Sequence, residues 1–473
     1  MNDYEMTIGI ECHVQLATKT KLFSSADNDA RDAAPNSKVH PIDFGLPGML
    51  PVLNREAVVL AVKAAKALHA EVAHVSRFDR KHYFYPDLPK GYQTTQMYRP
   101  IILEGYIDAP LENGETVRVR IHHAHMEEDA GKLTHYGDHS LVDLNRAGTP
   151  LIEIVSEPDI HSAAEARAYA TELYRLMTYA GVTHGDLYHG NMRFDVNISV
   201  AKKGASELGT RAEVKNLNSF RSVEKAAEYE FKRQVELLER GEKVVQETRG
   251  WNDDKQVTTS QRSKEDAQDY RYMPDADIPP IVLTAEEITA MQASVGKLPP
   301  EYRAEFATLG VDKSVVNSLL AHQLYAEVVS QVLMQDPKAA KRSANWIASN
   351  LAADETESVQ TVASVDDLIA LSTMVEKQEI TSNAASELFN DIMAGATNPR
   401  QLAEQKNLLQ DSNEDAIAAV VDEVLADPAS QKAVEDIRAG NDKAIGFLVG
   451  QIMKKSQGKA NPSLAQKLIK ERI

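Results

Sequence analysis

Ile8-Gly9-Ile10-Glu11-Cys12-His13-Val14-Gln15-Leu16 alternates strictly between apolar and polar residues. Side chains on a strand repeat every two residues, so Ile8, Ile10, Cys12, Val14 and Leu16 share one face. Glu11, His13 and Gln15 share the other. Met192 to Val200 repeats the pattern. There Met192, Phe194, Val196, Ile198 and Val200 oppose Arg193, Asp195, Asn197 and Ser199. Strands of this kind suit an antiparallel sheet with one packed and one polar face. Helices are expected to back the apolar face. The polar face carries more ionisable groups than solvation alone requires.

Helices are legible around these strands. Ser162 and Glu165 form the sequence signature of a capping box, and Gly181 is a stop signal. Between them Ala166, Tyr169, Ala170, Leu173, Leu176 and Met177 make an apolar stripe. Residues 54–70 and 221–240 read as two more amphipathic helices, the latter followed by Gly241. Beyond Leu298-Pro299-Pro300 the composition turns to Ala, Leu, Glu, Gln and Lys in a helical pattern. A second break lies at Ala394-Gly395-Ala396-Thr397-Asn398-Pro399. The fold class expected is α+β, with a sheet-based domain over residues 1–295, a helical domain over 296–400 and a small helical tail over 401–473.

The chain has 473 residues, too many for one ordinary core. Its single cysteine, Cys12, can form no internal disulfide, and the expected compartment is the cytosol. Met1-Asn2-Asp3-Tyr4-Glu5 lacks the basic start and apolar core of a signal peptide, and no apolar stretch is long enough to span a bilayer. The net charge of −18 opposes promiscuous nucleic-acid binding. Residues 439–473 run the other way, with seven Lys/Arg against two Asp/Glu, so one end is cationic on an acidic body.

Four segments can carry chemistry. Glu11 and His13 project from the same strand face and could share a metal, although a solvated edge strand gives the same pattern. His125-Met126-Glu127-Glu128-Asp129 sets three acids in a row, which repel unless a cation or basic groups offset them. Oxygen-rich clusters suit hard cations such as Mg²⁺; an acidic surface turn is the plain alternative. Zinc at His122 and His123 is disfavoured, because thiolate partners are absent. Glu153, flanked by Leu151, Ile152, Ile154 and Val155, must be paired, protonated or ligating a metal. Asp79 to Gln93 interleaves Arg80, Lys81 and Lys90 with Tyr83, Phe84, Tyr85 and Tyr92, as phosphate-gripping and base-stacking loops do. Arg211 to Ser219 is a further strand with a charged face, running into a helix.

Together these segments resemble the B subunit family of the glutamyl/aspartyl-tRNA amidotransferases. The resemblance rests on Gly9 to Leu16, Leu46-Pro-Gly-Met-Leu-Pro-Val-Leu-Asn54, Arg80 to Gln93, His125 to Lys132, Ser140 to Asp159, Lys215 to Phe220, Asp269-Tyr-Arg-Tyr-Met-Pro-Asp275 and Gly446-Phe-Leu-Val-Gly-Gln451. It implies a catalytic cradle domain on an antiparallel sheet, then a helical domain and a tail of the YqeY type. It implies binding of misacylated Glu-tRNA(Gln) or Asp-tRNA(Asn), phosphorylation of the side-chain carboxylate by ATP with Mg²⁺, and amidation by ammonia. The implied partners are an amidase-fold glutaminase A subunit, which supplies the ammonia, and a small C subunit. The family's Mg²⁺ ligands fall on His13, Glu128 and Glu153, with Glu11 and Glu127 beside them. Arg80, Lys81 and Lys132 are candidate phosphate contacts. Lys454, Lys455, Lys459, Lys467 and Lys470 are candidates for the tRNA backbone, reading shape rather than bases.

Two departures from the family stand out. Many relatives carry Cys pairs that hold zinc between Phe23 and Gly45; here Ser24, Ser25, His40 and Asp43 occupy that stretch, and no zinc is expected. The approach to the Arg193 strand, Leu187-Tyr188-His189-Gly190-Asn191, lacks the family's usual acid. Two other readings are a non-catalytic tRNA-binding scaffold and a stand-alone Mg²⁺ hydrolase. The acid cluster argues against the first, and the cationic tail against the second.

Overall fold

A computed structural model describes residues 3–263, 269–351, 359, 361–410, 414–456 and 459–473. It divides into two compact units, Met1–Glu301 and Tyr302–Ile473. Among the described residues, no helix is long and apolar enough to cross a membrane.

The strands of the first unit, in chain order, are β1 (Tyr4–Gln15), β2 (Val75–Ser76), β3 (Asp79–His82), β4 (Tyr92–Thr95), β5 (Gly105–Pro110), β6 (Thr116–Glu128), β7 (Lys132–His135), β8 (Ser140–Asp143), β9 (Pro150–Ser156), β10 (Met192–Lys202), β11 (Ala212–Leu217), β12 (Glu247–Asn252), β13 (Val257–Ser263), β14 (Met273–Pro274) and β15 (Ile281–Val282). Its helices include α1 (Arg55–Ala67), α2 (Ala163–Tyr179), α3 (Phe220–Glu239) and α4 (Ala285–Ala293). Eight strands form one sheet in the order β13-β12-β11-β10-β1-β9-β6-β5. The expected antiparallel sheet is found with one exception: β11 and β12 run parallel, because α3 crosses over between them.

The strand that opened the reading lies mid-sheet, between β10 and β9. Its apolar face is sealed, with Ile8, Cys12, Val14 and Leu16 at 0% exposure. Helices α2 and α3 pack on the sheet and on each other. Every member of the expected α2 stripe is buried, and Phe194 of β10 meets Phe220 of α3 edge-on at 6.2 Å. Ser162 caps α2 by accepting from the Glu165 amide at 3.1 Å. Glu165 reaches back one residue further than a capping box requires, to the His161 amide at 2.7 Å. Gly181 takes φ +67°, the left-handed conformation that ends a helix at little cost to glycine.

The stretch from Phe23 to Gly45 is fastened by charge. Lys21, 0% exposed, donates to Asp43 at 3.0 Å and to the Leu144 carbonyl at 3.3 Å. Asp43 also accepts from the His40 amide at 2.7 Å. Gly148 is required here: it sits at φ +83°, and a Cβ would lie 2.9 Å from the Asp43 carboxylate.

Among its described residues the second unit is built from helices, from α5 (Pro299–Phe306), which straddles its boundary, through α6 (Lys313–Leu320), α7 (Gln323–Gln335), α8 (Pro337–Asn350), α9 (Val365–Glu376), α10 (Ser382–Met393), α11 (Pro399–Gln405), α12 (Glu414–Ala426), α13 (Gln431–Arg438) and α14 (Ile445–Lys455) to α15 (Pro462–Arg472). Pro299 and Pro300 open α5 rather than interrupt one, as proline can at a first turn. The break at 394–399 is the turn from α10 into α11, and the boundary expected at 400/401 falls inside α11. The core changes further on. Helices α12 to α15 enclose a hydrophobic cluster that includes Ile417, Val421, Leu448, Ile452, Leu468 and Ile469.

Candidate active site

Strand register assembles the polar face. His13 of β1 lies opposite Glu153 of β9, and Glu153 lies opposite His125 of β6. On the other side of β1, His13 faces Arg193 and Glu11 faces Asp195 of β10. Directly opposed residues sit about 5 Å apart, so one row of the sheet brings together side chains far apart in the chain.

The result is a crowded charge set. His13 Nε2 lies 3.5 Å from Glu127 Oε1 and 3.9 Å from Glu153 Oε2. His125 Nε2 lies 3.1 Å from Glu153 Oε2. One ligand atom each from His13, Glu127 and Glu153 falls within 4.8 Å of the others. Glu11, Asp195 and Glu213 form a second such group. Lys215 spans Asp195 and Glu213 at 3.2 and 3.1 Å, and Asn197 donates to Glu11 at 2.9 Å.

Titration behaviour reflects the crowding. Burial, then the Glu153 charge, raise Glu127 above the ordinary carboxylate range. Glu11 is raised for the same two reasons, in the same order. Burial would raise Glu153 too, but the hydrogen bond and charge of His125, then the charge of His13, outweigh it and hold Glu153 low. Burial opposes charge on His125, yet Glu153 lifts it above the ordinary histidine range. Burial and its two histidine neighbours depress His123 to about 4.

A cleft of about 810 Å³ opens over this face, lined among others by Glu11, Lys81, His125, Glu127, Glu153 and Tyr272. The expected site residues divide here. Glu11, His13, Glu127, Glu153 and Lys81 converge. Glu128 does not, because consecutive strand residues point to opposite faces. Its carboxylate accepts from Lys90 and from the Thr94 amide at 3.0 Å. Of the expected trio, the structure brings His13 and Glu153 together with Glu127, while Glu128 lies apart from them. Arg80 is held in ion pairs with Asp275 and Asp277, both at 2.8 Å. Lys132 lies on the β7–β8 hairpin opposite Asp143, exposed, and is not among the residues lining the cleft. The five tail lysines are exposed on α14, α15 and the turn that joins them.

Sequence reasoning passed over His125, Asp195, Glu213 and Lys215 as site residues. Alternation signalled Asp195 in β10 and Glu213 with Lys215 in β11. Only the pairing of those strands with β1 and with each other shows that they meet Glu11.

The donor set fits a hard divalent cation. Carboxylate oxygens dominate, one imidazole joins them, and the surplus negative charge favours occupancy.

Comparison with known proteins identifies the family. The GatB/GatE catalytic domain family matches residues 6–289, and the GatB domain family matches residues 325–473. The B subunit of the aspartyl/glutamyl-tRNA(Asn/Gln) amidotransferase of Alkalilimnicola ehrlichii is 46% identical, covering 100% of this chain and 99% of its own. Its counterpart in Halorhodospira halophila is 45% identical over 99% of both chains. The counterpart in Lachnospira eligens is 42% identical over 100% of this chain and 99% of its own. The chain belongs to the family of aspartyl/glutamyl-tRNA amidotransferase B subunits.

Proposed function

We propose that this chain binds misacylated Glu-tRNA(Gln), Asp-tRNA(Asn) or both, and converts the esterified acid to its amide at the cleft over the sheet. ATP is the phosphoryl donor. An amidase-fold glutaminase A subunit supplies ammonia, and a small C subunit completes the complex. The observation that carries the reading is the convergence of His13, Glu127 and Glu153 beside a cleft that Glu11, Glu127 and Glu153 line.

The chemistry needs such a site. A carboxylate is a poor electrophile, and its approach to ATP brings like charges together. Transfer of the γ-phosphoryl group to the carboxylate oxygen releases ADP. Ammonia then adds at the acyl carbon, and inorganic phosphate leaves with the former carboxylate oxygen and the proton that the nitrogen loses. His13, Glu127 and Glu153 would hold Mg²⁺, which supplies charge neutralisation at the phosphate oxygens. Lys81, within the cleft, offers a cation to those oxygens. His125 holds Glu153 in place through its Nε2 hydrogen bond. Closure of the cleft by bound substrate would protect the acyl phosphate from water. The exposed lysines Lys454, Lys455, Lys459, Lys467 and Lys470 contact the tRNA backbone. We place the start of the tail that bears them between α11 and α12, where the core changes.

The test uses the chain co-purified with its two companion subunits. Misacylated tRNA, glutamine, Mg²⁺ and ATP are supplied, and ADP and amidated tRNA are followed together. Coupled formation of both, lost in Glu153→Gln, is the expected result. If neither Glu-tRNA nor Asp-tRNA is amidated while tRNA still binds, the chain is a non-catalytic scaffold.

A further inference from the structure

The charged floor explains only part of the cleft. One rim is aromatic, and the acid centre does not use it. Four tyrosines form a continuous array: Tyr83 meets Tyr270 edge-on at 6.1 Å, Tyr270 meets Tyr272 at 6.0 Å, and Tyr272 meets Tyr98 at 6.4 Å. Tyr272 and Met97 line the cleft, and Tyr98 is 60% exposed. Tyr98 is exposed and the other three rings are half-buried, an array held in place beside a charged cleft with aromatic surface still open to a ligand. Lys81 covers the Tyr83 end of the array, 4.8 Å from the centre of Tyr270 and 5.9 Å from that of Tyr83.

The segment bearing Tyr270 and Tyr272 is fixed from several sides. Met273 and Pro274 pair with Arg80 and Asp79 of β3. His82 donates its amide to the Tyr270 carbonyl at 2.8 Å and sets its ring Nδ1 3.0 Å from the Arg271 carbonyl. Arg80 grips Asp275 and Asp277 just beyond. Between the two rings Arg271 takes φ +42°, a conformation that costs a residue with a Cβ and persists where the surroundings impose it. Arg80, expected at a phosphate, is thus a positioning residue for the aromatic rim.

The array also stands close to the acids. Tyr272 lines the same cleft as Glu127 and Glu153. A base seated on Tyr272 would therefore hold its attached phosphates or ester near the acid centre.

We propose that Tyr272 and Tyr98, with Met97, form a stacking shelf for an adenine ring. This rests on the amidotransferase reading above, in which both substrates carry adenine: ATP, and the 3′-terminal adenosine that bears the misacylated residue. Stacking reads a π-face and is indifferent to the sugar's attachments, so the shelf's chemistry is the same for either source.

The test uses the assembled enzyme with Tyr272→Ala, Tyr98→Ala and Tyr272→Phe. KM for ATP is measured at saturating tRNA, and KM for misacylated tRNA at saturating ATP. The alanine variants should raise one of these about tenfold with kcat within about twofold of wild type, and phenylalanine should restore it, because stacking needs the ring and not the hydroxyl. A rise for ATP assigns the shelf to the nucleotide. A rise for tRNA, matched by weaker equilibrium binding of deacylated tRNA but not of deacylated tRNA lacking its terminal adenosine, assigns it to the acceptor end. If the alanine variants melt as wild type does yet change neither KM, or if phenylalanine is as poor as alanine, the proposal is overturned. Should the wild-type assembly amidate nothing, the functional reading fails by itself. The shelf is then judged by equilibrium titration with ATP and with deacylated tRNA, and unchanged binding in Tyr272→Ala overturns it.

Discussion

The two charged regions of this molecule are built in opposite ways. On the polar face of the sheet, acids are crowded, largely buried and fixed by strand register, so their mutual repulsion is built into the fold. On α14, α15 and the turn that joins them, cations are exposed, and several already have acidic neighbours. Lys455 lies 2.5 Å from Glu423, Lys467 lies 3.8 Å from Glu414, and Arg472 donates to Asp422 at 2.7 Å. The first arrangement concentrates chemistry at one point, where a single atom can matter. The second spreads a modest field over a helical surface, where no one side chain dominates.

The largest effect should come from Glu153→Gln. It keeps the shape of the side chain and removes one negative charge between His13 and His125. Amidation should fall more than about 100-fold, as loss of a metal ligand does. The melting temperature should fall modestly, because His125 and His13 stabilise the charged form of Glu153 and lose that partner. Activity retained in the assembled complex would remove Glu153 from the site and erase the contrast between the two regions.

Neighbouring glutamates sharpen the comparison within one strand. Glu127→Gln should raise the Mg²⁺ concentration needed for half-maximal amidation by about 10- to 100-fold with little loss of stability. Glu128→Gln should do the reverse. It leaves Lys90 without its carboxylate in a site where both side chains are mostly buried, and should cost about 3 kcal/mol in denaturant melts with the Mg²⁺ requirement unchanged. An Mg²⁺ requirement that follows Glu128 instead would restore the ligand set expected from family resemblance.

That exchange marks the limit of what the sequence could say. Alternation alone placed Glu11, His13 and Gln15 on one face and identified Glu153 as an acid among apolar neighbours. These are local facts, and the sheet preserves them. Which of two adjacent acids faces the site depends on how β6 registers against β9, and that register shifts at a bulge between Ile121 and His123. The surroundings of Arg80 were hidden for the same physical reason: its partners Asp275 and Asp277 lie almost two hundred residues further on. The parallel β11–β12 pair was invisible because alternation does not encode strand direction. The end of the helical stripe in α2 was readable, because a cap and a stop glycine act within one turn.

A smaller effect is expected from the cationic helices as a group. Replacing Lys454, Lys455, Lys459, Lys467 and Lys470 together by Gln should weaken tRNA binding and flatten its salt dependence, each phosphate contact contributing about 0.7 to 0.9 to the log–log slope. Removing residues 439–473 outright is a poorer probe. It takes away Leu448, Ile452, Leu468 and Ile469, which fill the core of α12 to α15, so lost binding would report unfolding rather than lost charge.

The smallest effect is the most discriminating. Lys455→Gln alone should change tRNA affinity by less than about twofold, because its charge is already shared with Glu423 and an exposed pair is worth little. Glu423→Gln should then strengthen tRNA binding slightly at low salt, by freeing Lys455 and removing a like charge from the phosphate's path, and the gain should vanish as salt screens the field. If Lys455→Gln instead lowered affinity tenfold, this surface would contain a fixed contact of the kind found on the sheet. The tail would then recognise one phosphate by position, rather than the tRNA backbone by its average field.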